Sequence, residues 1–116
     1  MSTADVLISF IDTDLAEAND MAGDLAESLG EDEPALSITR LREDSRSQDF
    51  GATIAIILGS TAVTALAKGL AAWLARRQDA HMCLRRTASN GQLREITLHG
   101  QPSARTERIV SDFFKD

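Results

Sequence analysis

Apolar positions first gather in a short run, Val6 to Ile11, rich in Val, Ile and Phe. Such a run predicts a buried strand. Asp12, Thr13 and Asp14 end it and supply helix N-caps. Leu15, Ala18, Met21, Ala22, Leu25 and Leu29 then recur at helical spacing, with Asp14, Glu17, Asp20, Asp24 and Glu27 mainly elsewhere around the wheel. The spacing predicts an acidic amphipathic helix stopped by Gly30. After the acidic turn Glu31–Pro34, Leu36, Ile38 and Arg40 alternate with Ser37, Thr39 and Leu41, a second strand over Ala35–Arg42. Glu43 to Asp49 is polar without periodicity and reads as a loop, the best candidate for a mobile segment.

Phe50 to Arg77 is the most apolar part of the chain. Ala52 to Leu74 holds 23 residues and a single charge, Lys68. On a helical wheel, Thr53, Ser60, Thr61, Thr64 and Lys68 form a polar stripe interrupted by Ile57. Ile56, Leu58, Val63, Leu66, Leu70, Trp73 and Leu74 lie on the other side. The reading adopted is one long, mostly buried helix with a wet edge. Gly59 and Gly69 each weaken an isolated helix by about 1 kcal/mol relative to Ala. The β-branched run Thr53–Leu58 permits another division, a strand Ile54–Leu58 followed by a helix Thr61–Arg77.

Arg76 and Arg77 place cations at the helix's negative end. His81 to Thr87 and Leu93 to His99 both alternate, and Asn90-Gly91 between them is a strong hairpin signal. Pro102 opens a last helix with Ile109, Val110, Phe113 and Phe114 inward. The order is β-α-β-α-β-β-α. It predicts a single α+β domain over residues 1–116, a small sheet packed on one face by helices that include the long apolar one.

Length and composition agree with one globular domain: 116 residues, 43% hydrophobic and 26% charged. The net charge of −6 is unevenly spread. Residues 1–50 carry 13 Asp and Glu against 3 Lys and Arg, whereas residues 51–116 carry 5 against 9. Interleaving in the folded chain, or self-complementary surfaces, would follow from such a split. The acidic balance argues against a broad nucleic-acid surface. Arg85, Arg86 and Arg94 form a small basic patch on the hairpin, but no aromatic accompanies them for base stacking. No signal peptide or lipidation motif precedes Val6, and the lone Cys83 fits a reducing cytoplasm.

Reactive groups are few. His81 and His99 lie 18 residues apart on the two hairpin strands, where they can be cross-strand neighbours, and Cys83 shares the face of His81. Two histidines supply too few ligands for zinc, and a Cys in an alternating strand is more often a small core residue. Asp5, Asp12, Asp14 and Glu31-Asp32-Glu33 lack EF-hand spacing. There is no P-loop, no GxGxxG and no GxSxG. No catalytic, cofactor or metal residue is assigned.

Gly51-Ala52, Gly59-Ser60, Leu66, Leu70, Trp73-Leu74 and Arg76-Arg77, followed by two polar-separated strands and a short helix, resemble the bacterial effector-associated constant component family. The likeness covers residues 50–116 by motif and the remainder by element order. It implies a non-enzymatic adaptor of a bacterial conflict or immune system, acting beside an effector or NTPase encoded nearby. A weaker likeness, Asp5-Val6-Leu7-Ile8-Ser9-Phe10 with Asp14, is similar to the opening of TIR-like domains. Where that family's catalytic Glu would follow Ser60, this chain has Ala and Leu.

The function expected is therefore protein interaction in the cytoplasm, with protein partners or a second copy of the chain and without nucleic acid. Interaction residues are expected at Gly59, Ser60, Lys68, Trp73, Arg76, Arg77, Arg85 and Arg94. The alternatives are a degenerate TIR-like domain and a small membrane protein spanning at residues 52–74, a length that reaches the bilayer minimum.

Overall fold

A computed structural model describes residues 5–32, 36–41, 53–58, 62–77, 79–88, 90–100 and 102–115. Along the chain run β1 (Val6–Ile11), α1 (Leu15–Asp32), β2 (Leu36–Leu41), β3 (Thr53–Leu58), α2 (Ala62–Arg76), β4 (His81–Thr87), β5 (Leu93–His99) and α3 (Ser103–Phe113). The architecture is α+β, with three helices and one five-stranded sheet of order β2-β3-β1-β4-β5. Every neighbouring pair is antiparallel.

The apolar stretch after residue 50 departs from the expected long helix. Its first part is β3, and the helix begins only at Ala62. The order is therefore β-α-β-β-α-β-β-α, with one more strand than the sequence reading. β3 lies between β2 and β1 and pairs with both. Its burial alternates, with Ile54 and Ile56 toward the core and Ala55 and Ile57 on the other face, but the second-face positions are apolar too, so the sequence shows no alternation and looks like a buried helix. The polar stripe is likewise divided, leaving Thr64 and Lys68 exposed on α2. At 15 residues α2 is short of a bilayer. Among the described residues, no helix is long and apolar enough to cross a membrane.

The other elements follow their local chemistry. Asp14 Oδ1 accepts the Glu17 backbone N–H at 2.8 Å, the expected cap of α1. Gly30 does not stop this helix, which continues to Asp32. The hairpin strands have the predicted bounds. Its turn carries Gly91 at φ +88°, with Gly91 N–H donating to Ala88 O at 2.9 Å and Ala88 N–H to Gln92 O at 2.8 Å. Gly91 thus supplies the left-handed residue of a three-residue connection. Glu43–Asp49 lies outside the described residues.

One hydrophobic core joins all three helices to one face of the sheet. Val6, Ile8 and Phe10, Ile54 and Ile56, Met82 and Leu84, and Leu98 project to this side. Ala18, Met21, Ala22, Leu25 and Leu29 of α1 meet them, as do Leu66, Leu70, Trp73 and Leu74 of α2 and Val110 and Phe113 of α3. Ile109 and Phe114 are half-buried against this core. Arg86 lies on the same side and is 9% exposed. Its Nε donates to Phe113 O at 2.7 Å, and its guanidinium lies 5.4 Å from the ring centres of both Phe113 and Phe114. The basic patch expected on the hairpin thus loses Arg86, which tethers the end of α3.

Candidate functional site: the second face of the sheet

Side chains alternate across a strand, so the residues left out of the core share the opposite face. Leu7, Ser9 and Ile11 of β1 stand there beside Ala55 and Ile57 of β3 and His81, Cys83 and Arg85 of β4. Leu93, Glu95, Thr97 and His99 of β5 complete the rows. Among the described residues, the helices pack in the core on the other face of the sheet. The β3–β1 half is mainly apolar, with Ile57 41% exposed. The β4–β5 half is mainly polar, with Leu93 68% exposed at its end.

Electrostatics on this face are paired. Arg85 Nε lies 2.9 Å from Glu95 Oε2 across the β4–β5 register, each side chain about half exposed. His81 Nδ1 lies 3.0 Å from Asp12 Oδ2. His81 and His99 are directly opposite in register, with ring centres 6.1 Å apart. They are the cross-strand neighbours that the hairpin implied. Asp12 itself has φ +59°, a left-handed conformation uncommon outside Gly, Asn and Asp. Cys83 is only 5% exposed on this face. Burial pushes its thiol above the ordinary value, the Arg85 guanidinium beside it pulls the other way, and the Glu95 carboxylate adds to the rise. At neutral pH the group is a protonated thiol. Among the described residues, no group of three or more His, Cys, Asp and Glu is placed to hold a metal ion.

The residues expected to mediate interaction are dispersed. Trp73 is fully buried, and its Nε1 donates to Asp24 Oδ2 at 2.9 Å. Arg77 stacks 5.7 Å from the Trp73 ring centre and bonds the same Asp24 oxygen at 3.2 Å. Arg76 reaches Ser28 Oγ at 3.2 Å. These three residues join α2 to α1, a contact between the basic and acidic halves of the chain. Lys68 is exposed on α2. Arg85 stands on the open sheet face, whereas Arg94 pairs in register with Arg86 and belongs to the helix side. Gly59 and Ser60 lie outside the described residues. Asp12, Glu95, Ile57 and Leu93 were missed. Counting back from the Asn90-Gly91 turn identifies the Arg85–Glu95 and Thr87–Leu93 pairs, but nothing local identifies Asp12 or Ile57.

No family model, curated protein or solved structure matches the chain.

Proposed function

We propose that the chain is a non-enzymatic protein-interaction module, an adaptor in a bacterial conflict or immune signalling system, and that it binds its partner through the open face of the sheet. The observation that carries this reading is the one-sided architecture. Three helices bury one face of five strands, while the other presents Ile57 within an apolar row beside the charged and histidine-bearing β4–β5 hairpin. An apolar centre rimmed by polar groups is the usual composition of a protein interface. The conflict-system assignment rests on the resemblance of residues 50–116, which supply β3, α2, β4, β5 and α3. An effector or NTPase encoded nearby is the partner it implies.

The test is quantitative affinity purification from the native host with the wild-type chain and with Ile57→Glu, a change at an exposed side chain. The expected result is a stoichiometric partner from a neighbouring gene with the wild type, depleted at least tenfold with Ile57→Glu at unchanged folding. Equal recovery with both chains, or no enriched partner, overturns the reading.

A further inference from the structure

We propose that β5 is a self-association edge, along which two copies of this chain join antiparallel about a two-fold axis at Thr97. Among the described residues, β5 is the last strand of the sheet and pairs on one side only, with β4. A strand edge presents unpaired N–H and C=O groups, and proteins blunt it with Pro, Lys, bulges or shortness. β5 carries two charged residues, Arg94 and Glu95, but none of these four devices. It is seven residues long, holds no Pro or Lys, and stays in unbroken register with β4 from Leu93 to His99.

The outward-facing groups follow from the turn. Ala88 and Gln92 form a hydrogen-bonded pair at the end of the ladder. Antiparallel pairs alternate from that point. Arg94, Ile96 and Leu98 therefore bond to β4, and Leu93, Glu95, Thr97 and His99 turn their backbone groups outward. A second β5 meeting this edge must bond through the same residues.

Charge selects the register. An axis at Glu95 opposes Glu95 to Glu95, and an axis at Arg94 opposes Arg94 to Arg94; both juxtapose like charges. An axis at Ile96 opposes Glu95 to Thr97 and leaves Arg94 against Leu98. An axis at Thr97 sets Thr97 against Thr97, Glu95 of each copy against His99 of the other, and Ile96 of each against Leu98 of the other. Only this last register gives Glu95, which also faces Arg85 of its own chain, a hydrogen-bonding partner in the other copy, twice, and stacks the apolar pair on the core side. Ile96 is half-buried within one copy and would be covered by the second. The product is a ten-stranded sheet whose open face is continuous. This surface is an edge rather than a face, so it stands or falls separately from the function proposed above.

Light scattering after size exclusion, up to millimolar chain concentration, should show a species of twice the 12.5 kDa chain mass. Thr97→Pro deletes an outward N–H while leaving the β4–β5 ladder intact. It should give a folded monomer, with dissociation at least tenfold easier. Cross-linking supplies an independent readout. Residues paired across the axis lie about 5.5 Å apart at Cα, within disulfide reach. With Cys83→Ser to remove the native thiol, Thr97→Cys should oxidise to a covalent dimer. Leu93→Cys should not, since its two copies would lie roughly 27 Å apart. A wild type that is monomeric throughout, a folded Thr97→Pro chain that still dimerises, or cross-linking no better at 97 than at 93 overturns the proposal.

Discussion

Trp73 and Asp24, 49 residues apart, are joined by a 2.9 Å hydrogen bond from the indole Nε1 to Oδ2. The indole is fully buried, whereas the carboxylate is about half exposed. Asp24→Ala leaves a buried donor without an acceptor and removes the ion pair to Arg77. The loss should be about 1–3 kcal/mol, dominated by the orphaned N–H. Asp24→Asn retains an acceptor and should lose less than half as much. Trp73→Phe removes donor and ring volume together, so Asp24→Ala should cost little more in that background. Urea unfolding of the four chains as a double-mutant cycle measures this coupling. Additive effects would show that the bond contributes nothing of its own.

Arg86 is the second such tether. Its Nε–H bond to Phe113 O, a further bond from its guanidinium to Lys115 O at 3.4 Å and the two flanking rings hold the C-terminal end of α3 against β4. A cation at that end also meets the negative pole of the helix. Arg86→Ala should cost about 2–4 kcal/mol, since charged hydrogen bonds and ring contacts are both lost. Arg86→Lys keeps the charge but not the planar fork, and should recover less than half. Hydrogen exchange should report the loss first at the amides of residues 110–115. A variant that destabilises α1 equally would show that Arg86 acts on the whole core instead.

Much of this fold was readable where neighbours in sequence decide it. Asp12, Thr13 and Asp14 mark the start of α1, and Asn90-Gly91 places β4 and β5 in register, bringing His81 to His99. The run Thr53–Leu58 resisted because its state depends on β1 and β2, which are remote in sequence. Ala55 and Ile57 on its open face are as apolar as Ile54 and Ile56 on its core face, so β3 displays no alternation in sequence. The sheet order was unreadable for the same reason, since β1 pairs with β3 and β4 rather than with β2. Of the interaction residues chosen for being aromatic or basic, three join helices while Lys68, Arg85 and Arg94 stay exposed. Trp73, Arg76 and Arg77 spend their polar atoms on α1, and only the fold shows that Asp24 and Ser28 receive them.

Cys83 should be an unreactive thiol in the folded chain. It is 5% exposed and burial raises its pKa above the ordinary 9.0. Alkylation at neutral pH should be slower than for the denatured chain by at least tenfold, since both access and thiolate fraction fall. A raised pKa on an acid also means that folding favours the protonated form. That contribution is intact below the unfolded thiol's pKa and is lost as pH rises through the folded value. Wild type should therefore lose more stability than Cys83→Ala above about pH 9. Parallel pH–stability curves for the two chains would refute the assignment.

Gly69 and Gly30 are both helical glycines, yet replacing them with Ala should move stability in opposite directions. Either change gains about 1 kcal/mol of helix propensity. A Cβ on Gly30 meets nothing within 4 Å, so Gly30→Ala should stabilise by about 0.5–1 kcal/mol. A Cβ on Gly69 would fall upon Leu29 Cδ2, and Leu29 is 1% exposed within the core. Its side chain has no solvent to move into, and overpacking of this kind costs about 1–3 kcal/mol. The net effect of Gly69→Ala should be a loss of about 1 kcal/mol. Gly69→Ala combined with Leu29→Ala tests the cause, because the clash disappears while the propensity gain remains. In that background Gly69→Ala should become stabilising, as measured by the urea midpoint at constant m. A loss that persists without the Leu29 side chain would place the constraint in the backbone packing of α1 against α2.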